Sequence, residues 1–244
     1  MPEHIAPEQD EGLDSFLDKW RARWPEWAVA QVFVPPVQRE TAMAWAALQQ
    51  ELTDAAWGGS DPRPGEAKLG WWSEELQGWA KGGRRHPLGV ALQRLPAPWT
   101  TLAASLPALR ESRERPRDRA EALRRLQPFA SAIAQVEAGL FADGRVEDGA
   151  ALPAIAASLL HARLAQVGES AVPLSVLARA GEDATVRAWA AELLADWPAA
   201  TAATRPRRLW AALARKRLVR GDAALPLPPW AALLAAWRAA RNGR

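Results

Sequence analysis

The chain contains no cysteine and no tyrosine, and it has only three histidines and two methionines in 244 residues. Without cysteine there is no disulfide, no thiol nucleophile and no thiolate zinc site. His4, His86 and His161 lie far apart in the sequence, which argues against an imidazole metal cluster. Long hydrophobic runs are missing as well. The most apolar stretch, Ala150–Leu160, falls short of the ~20 residues that a bilayer-spanning helix needs. The first residues are acidic and proline-bearing, without the basic and then apolar order of a secretory signal, so a cytoplasmic location is expected. Threonine, isoleucine and valine are sparse, and no alternating strand pattern occurs.

Alanine, leucine and arginine dominate instead, all of them good helix formers. A first amphipathic helix is expected over Leu13–Trp27, with Pro25 ending or kinking it early. Further helices are expected over residues 37–57, 66–79, 87–95, 100–109, 117–141, 151–166, 174–180, 184–195, 205–219 and 228–241. Glycine- and proline-bearing turns separate them, among them Gly58-Gly59-Ser60-Asp61-Pro62 and Asp143-Gly144. Glu182-Asp183 read as a helix start. No fixed-period repeat occurs. The expected architecture is all-α: residues 1–12 as a flexible N-terminus and residues 13–244 as one helical-bundle domain.

The net charge is only +3, yet arginine concentrates in Arg110–Arg125 and Arg205–Arg220. Solvated helix faces are the usual meaning of such runs. Diphosphate or anionic lipid are the functional alternatives, and nucleic acid is the weakest, because no recognised binding motif accompanies the charge. Fourteen tryptophans are a heavy load for this length. Most are expected in or beside the core, where each buries a large apolar area. The rows Trp20, Trp24, Trp27 and Trp230, Trp237 also fit a belt at a membrane surface, which makes peripheral membrane contact one possible role.

One stretch carries more information. Lys68-Leu69-Gly70-Trp71-Trp72-Ser73-Glu74-Glu75-Leu76, a glycine break, His86-Pro87-Leu88 and then Ala91-Leu92 resemble, in this order, the squalene/phytoene synthase family. The helix upstream, with Arg39, Leu48, Glu51-Leu52 and Asp54, is similar to that family's first motif helix. Val172–Gly181 is similar to the segment after its second motif, and Pro229-Trp230 through Arg241 to the ending of bacterial members. The resemblance spans roughly residues 14–241. It implies a helical fold of the trans-prenyl diphosphate synthase type around an apolar cavity, in which two prenyl diphosphates condense head to head. It also implies two aspartate-rich motifs on facing helices, holding magnesium ions that neutralise the departing diphosphate.

The sequence departs from that pattern at both motifs. The first position reads Gln49-Gln50-Glu51-Leu52-Thr53-Asp54, with carboxylates three apart instead of two aspartates four apart. Glu51 and Asp54 can share a helix face, so one weak magnesium or diphosphate site is conceivable there, with Lys68 as a further contact. The second position, Ser158–Gln166, holds no carboxylate, which leaves His161 and Arg163 as candidate diphosphate contacts. Gly82-Gly83-Arg84-Arg85 fits a phosphate contact or a plain turn, and His161 on its alanine-leucine helix also fits a satisfied core histidine. Three functions follow. The first is an active prenyl transferase with divergent, magnesium-dependent sites. The second is a catalytically silent family member, a pseudoenzyme that binds an apolar or prenyl ligand or serves in assembly with a protein partner. The third is a helical interaction module. The missing carboxylates favour the silent member. A large central cavity would keep ligand binding open, whereas a filled interior would point to scaffolding.

Overall fold

The computed structural model describes residues 7–141, 150–181, 184–201 and 203–241, with side chains from Gly12 onward. Among these residues there are twelve α-helices and no strand. They are α1 (Pro7–Arg23), α2 (Trp27–Ala30), α3 (Arg39–Trp57), α4 (Arg63–Trp79), α5 (Leu88–Leu92), α6 (Trp99–Glu111), α7 (Arg119–Phe141), α8 (Leu152–Val167), α9 (Leu174–Leu177), α10 (Thr185–Ala195), α11 (Arg205–Val219) and α12 (Pro229–Arg241). Asp143-Gly144 and Glu182-Asp183 lie outside the described residues. No described helix is long and apolar enough to cross a membrane.

The first helix ends early, as the position of Pro25 suggests, but its start differs from expectation. It starts at Pro7, within the segment expected to be flexible, since proline suits a first helical turn where its missing N–H costs nothing. It stops at Arg23 because Pro25 offers no N–H and disfavours helical backbone just before it.

α3 is the central helix. Fourteen of its nineteen residues are buried, from Ala42 to Trp57, and it touches α1, α4, α5, α6 and α8. Around it the chain proceeds by neighbour packing, α4 on α6, α6 on α7, α7 on α8, α8 on α11 and α11 on α12. Small residues make the close crossings possible. A Cβ at Gly65 would lie 2.1 Å from the Ala55 carbonyl oxygen, and one at Gly139 would lie 2.3 Å from that of Pro96.

Tryptophan fills the space between helices. Nine of the fourteen are buried and three half-buried, leaving only Trp230 and Trp237 exposed. Trp45, Trp79 and Trp99 meet edge-to-face or tilted at the centre, and Trp72 meets Trp79 edge-to-face. The Trp45, Trp57 and Trp79 indole N–H groups donate to Glu137, Ser112 and Glu75. The interior around α3, α4 and α6 is thus solid rather than hollow.

The first arginine run serves the frame. The Arg113 guanidinium donates to the carbonyls of Ala56, Gly58 and Gly59 and so closes the C-terminus of α3. Arg117 and Arg125 both bind Glu121, whose carboxyl pKa is lowered to about 2 by the Arg117 backbone N–H first and then by the two guanidiniums. These arginines thus serve local structure, Arg113 through carbonyls and Arg117 and Arg125 through a carboxylate.

Gly139→Ala should destabilise the domain by about 1–3 kcal/mol through overpacking, against a helix-propensity gain of about 1 kcal/mol. Urea unfolding checks this; a midpoint that rises would show that the α7 crossing tolerates a methyl group.

Candidate functional site

One cavity of about 260 Å³ opens between α1, α3, α8 and α11. The α8 face Ser158, His161, Ala162, Ala165 and Gln166 forms one wall, at helical spacing of three and four. Gln49, Gln50 and Thr53 of α3 form the opposite wall, and Trp20, Trp24 and Trp210 close the sides. Arg23 and Ala224 are exposed, which puts the mouth between α1 and the segment before α12. The two sequence windows at 49–54 and 158–166 therefore line the same pocket.

Two arginines of α11 define its electrostatics. Arg207 is 2 % exposed; its Nε lies 3.0 Å from Glu137 Oε1, and its Nη2 donates to Glu137 and, at 2.7 Å, to Gln49 Oε1. Arg217 is bound at both nitrogens by Glu26, at 2.7 Å each, and Glu26 also accepts the Leu227 N–H at 2.8 Å. Each guanidinium lies over a tryptophan of the cavity, Arg207 over Trp210 at 4.8 Å and Arg217 over Trp24 at 4.0 Å. At the mouth, Arg23 forms a fork with Asp54 at 2.6 and 3.3 Å. Every cavity arginine thus has its own carboxylate.

Several buried polar atoms of the cavity have no partner among the described residues. Because Gln49 Oε1 accepts from Arg207, its amide orientation is fixed and Nε2 is left as an unused donor. Trp20 Nε1 is a second unused donor and Gln50 Oε1 an unused acceptor. The His161 ring makes no well-formed hydrogen bond, its approach to the Ala223 carbonyl being a weak one. Burial, reinforced by the Arg217 charge and only partly offset by the Ala223 carbonyl, lowers the His161 pKa to about 3. His161 is therefore neutral, with one ring nitrogen to donate and one to accept. Such unpaired groups are costly unless something in the cavity meets them.

The candidate metal and diphosphate residues divide into three fates. Glu51, Asp54 and Lys68 do come together, but as an ion-pair cluster beside the cavity and not in its lining. Glu51 accepts Lys19 Nζ at 2.5 Å and Lys68 Nζ at 2.6 Å. Burial alone would raise its pKa, but these two ammonium groups hold it below the usual carboxylate range. His161 lies in the cavity wall. Arg163 points elsewhere: its Nη2 donates to the carbonyls of Arg113 and Glu114 at 2.9 and 3.0 Å, pinning the end of α6.

A magnesium cluster does not fit this donor set. Glu51 and Asp54 are saturated by Lys19, Lys68 and Arg23, and the facing window supplies a hydroxyl, a neutral imidazole and an amide where hard-cation carboxylates belong. Among the described residues no three histidine, aspartate or glutamate side chains converge on a common point. The Gly82–Arg85 turn does not reach for a phosphate either. It wraps Glu75, which accepts the Arg85 and His86 backbone N–H groups at 2.7 and 2.8 Å.

The tryptophan row at 20, 24 and 27 is buried and lines or backs the cavity, which overturns its reading as a membrane belt. Arg207 and Arg217 were missed as site residues. Their signal was present: they fall on the α11 face shared with Ala214 and Trp210, where a surface helix carries apolar side chains. By its geometry the site is a small, tryptophan-lined cavity in an all-α domain. Among known proteins, the chain matches no family model and no characterised protein sequence.

Glu137→Ala leaves Arg207 buried without its carboxylate and should cost about 3–5 kcal/mol in urea unfolding; an unchanged midpoint contradicts the pairing. The histidines predict a pH profile. His161 and His86, at about 3 and about 4 when folded, both lie below their unfolded value of 6.5. Their contribution is complete above that value and is lost as pH falls toward the folded values, by up to about 1.4 kcal/mol per pH unit for His161 and by less for half-buried His86. Stability should therefore drop from pH 6.5 to 4.5, with a shallower slope in His161→Leu. A flat profile would show that the imidazoles are not buried neutral.

Proposed function

We propose that the chain is a catalytically silent, metal-independent relative of the squalene/phytoene synthases, whose pocket holds one small amphipathic ligand. The observation that carries this reading is the placement of both motif windows on one cavity that presents amides, a neutral imidazole and tryptophan instead of carboxylates. The order of sequence motifs from Lys68 to Leu92 supports the family likeness.

The ligand chemistry follows from the lining. Trp24, Trp210, Leu159, Ala162 and Ala165 suit an apolar body, while Trp20, Gln49, Gln50 and His161 offer both donors and acceptors. The arginines are already neutralised, so a triply charged diphosphate head finds little free positive charge. An uncharged hydrogen-bonding head on a short apolar chain, as in a prenyl alcohol, fits better. At about 260 Å³ the cavity sits below the roughly 300–1,000 Å³ of typical ligand pockets, which suits one small molecule rather than two prenyl diphosphates. Head-to-head transfer needs a cationic group to stabilise the departing diphosphate, and this donor set supplies none.

Titration with geraniol and with geranyl diphosphate, each with and without magnesium, tests the reading through the fluorescence of Trp24 and Trp210. The alcohol should bind with an affinity indifferent to magnesium and weakened by Gln49→Leu. Farnesyl diphosphate with magnesium should yield no squalene-type product. Multiple turnovers, or binding of the diphosphate only in the presence of magnesium, would overturn it.

A further inference from the structure

The two exposed tryptophans do not stand alone. Trp230, Leu233, Leu234 and Trp237 follow one another at spacings of three, one and three along α12, and their exposures are 69, 46, 40 and 42 %. They form a single outward stripe. The opposite face, Ala231, Ala232 and Ala236, is buried against the bundle. The alanines anchor α12 closely, so the large side chains stand outward as a ridge about 10 Å long, at 1.5 Å per residue.

The charge around this ridge has one sign. From Arg205 to Arg241 the only acidic residue is Asp222. One groove beside the ridge is lined by Arg208, Arg215, Lys216 and Arg238, and the groove on the other side by Arg205 and Arg241. None of these six forms an ion pair among the described residues, in contrast to Arg117, Arg119 and Arg125 and to buried Arg207 and Arg217. Arg241 lies over the Trp237 ring at 4.7 Å, which holds a guanidinium at the end of the apolar stripe. Exposed Val32 lines the second groove and Val219 the first, so apolar surface continues past the helix on both sides.

We propose that α12 is a docking face for an anionic phospholipid bilayer, lying parallel to the surface with its tryptophan-leucine ridge in the headgroup region. A bilayer is favoured over a protein groove by three features together. The apolar surface is convex, its two ends are tryptophans suited to the water–lipid boundary, and the unpaired cations flank it on both sides. Unpaired arginine complements anionic headgroups, and each is worth about a fivefold gain in binding. The site is separate from the α1–α3–α8–α11 pocket.

Co-sedimentation of the full chain with phosphatidylcholine vesicles, alone and with about one third phosphatidylglycerol, tests this, since screening sharpens as the Debye length falls from about 10 Å at 0.1 M salt. Binding should require phosphatidylglycerol and weaken with salt. It should also fall at least tenfold in Trp230→Ser/Trp237→Ser, whose helical circular dichroism and thermal midpoint stay unchanged. In the unaltered chain, brominated lipid should quench part of the tryptophan emission, a reading independent of any variant. Absence of binding at low salt, or binding that survives the double tryptophan change, overturns the proposal. A dimer in light scattering that the double variant dissolves does so too, by assigning the face to a second copy. Capture of a protein by this face in place of vesicles would equally replace the bilayer.

Discussion

Two arginines on one helix hold the cavity end of this molecule together. Arg207 ties α11 to α7 and α3 through Glu137 and Gln49, and Arg217 ties it to the α1–α2 turn and the segment before α12 through Glu26. Four parts of the chain distant in sequence thus meet on two guanidiniums that are almost wholly buried. A buried ion pair is a poor source of net stability but a strict one, because losing either partner strands a charge in the interior. That strictness explains why the arginines also donate to Gln49 Oε1 and the Arg23 carbonyl, and why Glu26 accepts the Leu227 N–H. They fix the walls of the cavity, and by consuming their own carboxylates they leave it almost without net charge.

The same economy governs the neighbouring carboxylates. Glu51 and Asp54 are the acidic groups closest in sequence to the cavity, and Lys19, Lys68 and Arg23 bind them. The cavity groups left without a partner are neutral and polar: two glutamine side chains, an imidazole held below its usual pKa, and an indole N–H. Recognition in such a place rests on matched hydrogen bonds and aromatic walls. It does not rest on attraction between opposite charges.

Much of the fold was legible in the sequence, because alanine-leucine periodicity and proline-glycine turns mark helix ends with few competing signals. α11 has its expected bounds, and α3, α7, α8 and α12 lie within one or two residues of theirs. The start of α1 was not legible, since residues 7–12 are polar and show no apolar period. Burial of the row from Trp20 to Trp27 was hidden for a related reason: spacing shows that side chains share a face but not which neighbour covers it. Trp230 and Trp237 have the same pattern and the opposite outcome. The pairing of Glu51 with two lysines from different helices is a long-range contact that spacing within α3 could not reveal.

Arginine pairs and amides stand where metal-binding carboxylates would be needed. Calorimetric titration of magnesium into the full chain tests this directly. It should give no saturable heat up to millimolar concentration, with no change in thermal midpoint. Saturable binding near one equivalent, abolished by Glu51→Gln or Asp54→Asn, would contradict it.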